Sequence, residues 1–133
     1  MSNDILIVDD ESDIRSLLSG ILQDEGYDTR EASNSEQALI AINLRLPSLV
    51  ILDIWLQNSA LDGSQILTWI QKSYPGCPVI MISGHGNIQT AVAAIKAGAY
   101  DFIEKPFKAD KLYNEMCDSE VAWHEVKKTL EHK

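Results

Sequence analysis

A chain of 133 residues, 45% hydrophobic and 23% charged, suits one globular domain and argues against a disordered chain. Its net charge of −9 repels phosphate backbones, which argues against direct nucleic-acid contact. No apolar run nears the ~20 residues of a membrane span, the polar start Met1-Ser2-Asn3-Asp4 is no secretion signal, and Cys77 and Cys117 form neither a disulfide framework nor a metal cluster.

Two kinds of segment alternate along the chain. Ile5-Leu6-Ile7-Val8 is short, apolar and β-branched, and it ends in the acids Asp9, Asp10 and Glu11. Ile14, Leu17, Leu18, Ile21 and Leu22 then mark one face of a helix, with Ser12 as its expected N-cap and Gly26 as its stop. Residues 27–32 read as a polar strand nearer a sheet edge. Asn34 with Gln37 resembles a capping box, and Ala38, Leu39, Ala41 and Ile42 continue a helix closed by Pro47. Leu49-Val50-Ile51-Leu52 is a second apolar strand, ending at Asp53.

A loop from Ile54 to Gly63 leads to a helix carrying Ile66, Leu67 and Ile70, which ends near Tyr74-Pro75-Gly76. Val79-Ile80-Met81-Ile82 is the fourth strand and ends at Ser83. Gly84-His85-Gly86 is a turn, and Asn87 is positioned to cap a helix with Ile88, Ala91, Val92 and Ile95, stopped by Gly98. Tyr100 to Glu104 is the fifth strand, ending at Lys105-Pro106, and a last helix is expected from near Asp110. Five such βα units predict an α/β fold, a parallel sheet with helices on both faces. The continuous apolar strands fit a sheet buried on both sides. In such sheets ligands bind at the carboxyl ends of the strands.

Those ends carry one chemistry. Asp9, Asp10 and Glu11 follow strand one, Asp53 ends strand three, Ser83 strand four and Lys105 strand five. Crowded carboxylates repel unless a cation joins them, and oxygen-only donors favour a hard ion such as Mg2+. A carboxylate can act as a nucleophile and become an aspartyl-phosphate. A hydroxyl and an ammonium can hold the remaining phosphoryl oxygens. Phosphoryl transfer needs mainly placement and charge neutralisation, which this set supplies.

Ile7-Val8-Asp9-Asp10-Glu11, Leu52-Asp53, Ile82-Ser83-Gly84 and Lys105-Pro106-Phe107, in this order and at these spacings, resemble the receiver (CheY-like) domain of two-component response regulators over roughly residues 4–118. The resemblance implies a doubly wound, flavodoxin-like (βα)5 sheet of order 2-1-3-4-5. It implies that Asp53 is the phospho-acceptor and that Asp10 and Asp53 bind Mg2+, with Asp9 ligating directly or through water and the Trp55 carbonyl as a further ligand. Ser83 would hydrogen-bond the phosphoryl group and Lys105 pair with it. Phe102 would take the switch-aromatic place, three residues before the lysine, and the Lys105–Pro106 bond would be cis. A sensor histidine kinase, NtrY-like, would be the phosphodonor. Homodimerisation would use the face of helix four, strand five and helix five.

One segment departs from the common receiver pattern. Asp53 and Asp62 lie nine positions apart instead of seven, and Gln57 stands where a proline is usual. Asp53-Ile54-Trp55-Leu56-Gln57 with this longer loop resembles NtrX-type regulators. The run from Met81 to Ile88 resembles NtrC-class activators. Full-length members add an ATPase and a DNA-binding domain, so the chain is expected to be a fragment of a cytoplasmic transcriptional regulator of nitrogen metabolism or respiration, or a stand-alone receiver. The expected division is a receiver at 1–118 and a helical extension or linker at 119–133, because Leu112, Met116, Ser119, Trp123, Val126 and Leu130 follow a near-heptad rhythm that would carry the last helix past the receiver.

Several residues carry two readings. His85 is a regulator of dephosphorylation or an exposed loop histidine, and His124 and His132 are tail residues with no metal expected. Trp55 shapes water access to the acceptor or is a half-exposed loop aromatic. Trp69 is expected at the surface of the third helix, and Phe102 is a switch or plain core. Rival functions are a Mg2+-dependent aspartyl phosphohydrolase, which would need an acid where Trp55 stands, and a flavin-binding module, whose phosphate loop Asp9-Asp10-Glu11 would repel. A degenerate receiver used only for protein contacts is a third. Beyond self-phosphorylation and slow self-dephosphorylation, no enzyme activity is expected.

Overall fold

The computed structural model describes residues 4–56, 59–83 and 88–104. Among these, five strands alternate with four helices: β1 (Asp4–Val8), α1 (Ser12–Asp24), β2 (Asp28–Ala32), α2 (Ser35–Leu44), β3 (Leu49–Asp53), α3 (Gly63–Ser73), β4 (Val79–Ser83), α4 (Ile88–Lys96) and β5 (Asp101–Glu104). All pairings are parallel, in the order β2-β1-β3-β4-β5. The sheet thus has the doubly wound order expected of it, with its switch point between β1 and β3.

The strands are continuously apolar because both faces are covered. β1, β3 and β4 are buried at every residue. Successive side chains point to opposite faces. Leu6, Val8, Val50, Leu52, Val79 and Met81 pack with α2, α3 and Ala94 of α4. Ile5, Ile7, Leu49, Ile51, Ile80 and Ile82 form the other layer, with Leu18 and Leu22 of α1. β2 lies at the edge and is mostly polar and solvent-facing.

Helix ends follow local chemistry, with two shifts from expectation. Ser12 is the first helical residue of α1, not its cap. Glu11 is the N-cap and makes no side-chain cap bond. At α2, Asn34 accepts the Gln37 amide, but the Gln37 side chain accepts from the amide and hydroxyl of Ser33, one residue before the box position. Gly26 does stop α1. At φ 94° it takes the left-handed conformation, with Gly26 N–H bonded to Gln23 O and Tyr27 N–H to Leu22 O.

The amino end of the sheet is locked by charge. The buried Asp4 carboxylate pairs with Arg30 at 2.6 Å and Arg45 at 3.3 Å. Arg30 also donates to the Ala41 and Arg45 carbonyls at the end of α2. Trp69 is half-buried rather than superficial, meeting the Tyr74 ring edge-on at 5.8 Å. The expected cap at Asn87, the last helix near Asp110, and the tail with Cys117, His124 and His132 lie outside the described residues, as does His85.

Candidate functional site

The opposite end of the sheet gathers the acids. Val8 pairs with Leu52 across the β1–β3 ladder, so the next residues, Asp9 and Asp53, emerge side by side. One carboxylate oxygen from each of Asp9, Asp10 and Asp53 lies within 4.8 Å of the others. Asp9 and Asp53 are buried, at 0% and 2% exposure, and Asp10 is half-buried. Backbone amides turn two of these carboxylates. Asp9 Oδ1 accepts from Glu11 N–H at 2.8 Å, and Asp53 Oδ1 accepts from Trp55 N–H at 3.2 Å. The Arg15 guanidinium donates to the Asp9 carbonyl, tying α1 to the β1 end.

Ser83 is fully buried at the end of β4. Asp53 pairs with Ile82, so Ser83 sits one step beyond, on the adjoining strand end. Glu104 is the register partner of Ser83, and Lys105 is the next residue in the chain. Lys105, Pro106 and the bond between them lie outside the described residues. Phe102 pairs with Met81 and is half-buried against the core, on the α2–α4 side of the sheet. Trp55 is 54% exposed in the loop beside Asp53.

Three features of that loop escaped the sequence. Gly63 packs so tightly beneath the end of β3 that a Cβ there would lie 2.1 Å from the Asp53 carbonyl oxygen. Asp62 and Gln65 form a full capping box for α3, a spacing that was legible in Asp-x-x-Gln. Ser59 and Leu61 bond to Ser35 of α2, a link between residues far apart in sequence and without a motif.

Three carboxylates in one notch repel one another, and a cation removes the repulsion. The donors are all oxygen, the set that Mg2+ takes alongside waters and phosphate oxygens. The residues present therefore fit Mg2+.

A doubly wound sheet with acids gathered at its switch point defines a class, and the comparison with known families agrees. The response regulator receiver domain matches residues 5–116, and the chain belongs to that family. Within it, the resemblance runs to one kind of regulator. The nitrogen assimilation regulatory protein NtrX of Azorhizobium caulinodans is 62% identical over 112 residues, covering 84% of this chain and 25% of that protein. The receiver domain of NtrX from Brucella abortus has 61% identity and a TM-score of 0.75, covering 90% of this chain and 97% of that one. A CheY-like receiver domain protein from Methanospirillum hungatei superposes with a TM-score of 0.83 at 27% identity, covering 99% and 96%. The chain thus spans about a quarter of the length of its Azorhizobium relative.

Proposed function

We propose that Asp53 accepts a phosphoryl group from the phosphohistidine of a sensor histidine kinase, and that this switches an NtrX-type transcriptional regulator. The notch of Asp9, Asp10 and Asp53 carries the reading. In the transfer, an Asp53 carboxylate oxygen attacks phosphorus, the P–N bond breaks, and the histidine nitrogen leaves. Mg2+ held by Asp10, Asp53, the Trp55 carbonyl and Asp9 would supply neutralisation of the phosphoryl charge. Asp53 is oriented for attack by the Trp55 amide. Buried Ser83, on the neighbouring strand end, donates its hydroxyl to a phosphoryl oxygen, and Lys105 supplies the pairing charge.

The new charge draws Ser83 and Lys105 towards Asp53 and biases α4 and β5, with Phe102 following by packing alone. Val92, Ile95 and Tyr100, at 45%, 46% and 52% exposure, give that face an apolar surface suited to a second copy. The longer protein, cytoplasmic, would add an output domain controlling genes of nitrogen metabolism or respiration. A phosphohydrolase is disfavoured because Trp55 occupies the place of its general acid and carries no transferable proton for the leaving group.

Acetyl phosphate with Mg2+, followed by intact mass, tests the assignment. Wild type is expected to gain one phosphoryl group and Asp53→Asn none. No gain on wild type, or equal gain on both, overturns it.

A further inference from the structure

We propose that the outer face of α2 binds a second copy of this chain, antiparallel about a two-fold axis and independently of phosphorylation. α2 buries Ser35, Ala38 and Ile42 against the sheet, so one side of the helix meets its packing needs. The other side of such a helix ordinarily shows solvent a polar surface. Here the centre of that surface is apolar: Ile40 is 61% exposed and Leu44 83%. The two lie four residues apart, which makes them neighbours on a helix. Leu46, also exposed, follows just past the helix end. A single exposed leucine is ordinary, but an adjoining set marks a contact surface. The surface is held rigidly, because Tyr74 Oη donates to Asn43 Oδ1 at 2.8 Å and so ties α2 to α3.

The charges of the helix select its occupant. Exposed Glu36, in the first turn, and exposed Arg45, at the C-cap, bracket the apolar pair, while Gln37 and Asn43 complete the stripe without charge. An antiparallel copy that sets Ile40 against Leu44 brings Glu36 to about 4.5 Å, measured along the axis, from Arg45 of the second copy, at ~1.5 Å per residue. The two-fold axis makes each of these contacts twice. It also lays the positive end of one helix dipole beside the negative end of the other. A parallel copy would instead set Glu36 against Glu36. Arg45 has the reach, since its side chain is 64% exposed and only its Nε, at 3.3 Å, meets Asp4, which Arg30 holds more closely at 2.6 Å. α2 packs beside the edge strand β2, at the opposite border of the sheet from β5. The contact therefore uses no group of the acidic notch and leaves the α4–β5 face open, so engaging both faces builds assemblies larger than a dimer.

A few side chains cover much less than the ~800 Å2 per partner of a stable interface, so association is weak, with Kd expected near ~0.1 mM. Sedimentation of the full chain under reducing conditions, without phosphodonor and up to about 1 mM, reads it. Leu44→Asp, at an exposed position, is expected to raise Kd at least about tenfold by placing a charge in the apolar centre. Glu36→Lys sets like charges together twice and is expected to raise Kd about tenfold. Arg45→Glu does the same with the opposite sign. A mixture of these two variants restores both attractive pairs and should associate as wild type does, while each alone stays monomeric. Circular dichroism confirms that each variant is folded, and the Leu44→Asp and Glu36→Lys results stand without the mixture. A wild type that is monomeric throughout, as expected if α2 meets a different protein or another part of this polypeptide, overturns the proposal. Association that survives Leu44→Asp unchanged also overturns it, since another face then carries the contact. Indifference to Glu36→Lys overturns the antiparallel arrangement.

Discussion

Gly63 shows how closely Asp53 is packed from below. A methyl group there would meet the Asp53 carbonyl at 2.1 Å and the Ile54 Cα at 2.7 Å, both backbone atoms that cannot swing aside. Gly63→Ala must push β3 and the start of α3 apart, and overpacking of this kind costs about 1–3 kcal/mol. Urea unfolding should show that loss, and acetyl-phosphate labelling of Asp53 should slow in the folded fraction. A labelling rate equal to wild type would mean that the strand end tolerates displacement. The three aspartates could be found from sequence because each follows an apolar run, and such runs become parallel strands with adjoining ends. Ser35 and Ser59 could not. A short hydroxyl side chain in a polar loop has many possible partners, and only the folded path of the loop selects one.

The elements were legible for an equally physical reason. Ile5-Leu6-Ile7-Val8, Leu49-Val50-Ile51-Leu52 and Val79-Ile80-Met81-Ile82 have no polar face, so each had to lie inside the sheet, while the polar residues 28–32 could form only an edge. Cap positions were less secure. At Ser12 the turn is organised by the Asp9 side chain taking the Glu11 amide, so the helix begins without a side-chain cap. Arg30 was invisible as a structural residue, because its partners come from β1 and the end of α2. It joins the edge strand to both. Arg30→Ala leaves the Asp4 carboxylate with Arg45 as its cationic partner among the described residues and removes two bonds to α2 carbonyls. A loss of about 2–3 kcal/mol is expected, the scale of hydrogen bonds to a charged group. Arg30→Lys should recover only part of it, since one ammonium cannot span a carboxylate and two carbonyls as a guanidinium fork does. Chemical denaturation of the three proteins measures the order; full recovery by lysine would show that charge alone matters.

At the scale of the molecule, two ends of one sheet carry opposite electrostatics. At the amino end the Asp4 charge is answered by Arg30 and Arg45. At the carboxyl end Asp9, Asp10 and Asp53 crowd together in a chain that already carries −9. Folding brings these three acids close, so their repulsion opposes folding until a cation is bound. Binding to the folded state alone adds stability that grows with concentration, about 2.7 kcal/mol at a hundredfold excess over Kd. For a domain of this size that raises Tm by roughly 10 °C. Mg2+ should therefore stabilise well beyond NaCl of equal ionic strength, which only screens. Asp10→Asn should cross over. Without Mg2+ it relieves repulsion and melts higher than wild type; at saturating Mg2+ it lacks a ligand and melts lower. Scanning calorimetry of both proteins with Mg2+, with NaCl and with chelator reads the six values directly. Equal stabilisation by the two salts would mean that the notch is not a divalent-ion site, and parallel melting of wild type and variant in all conditions would mean that Asp10 takes no part in it.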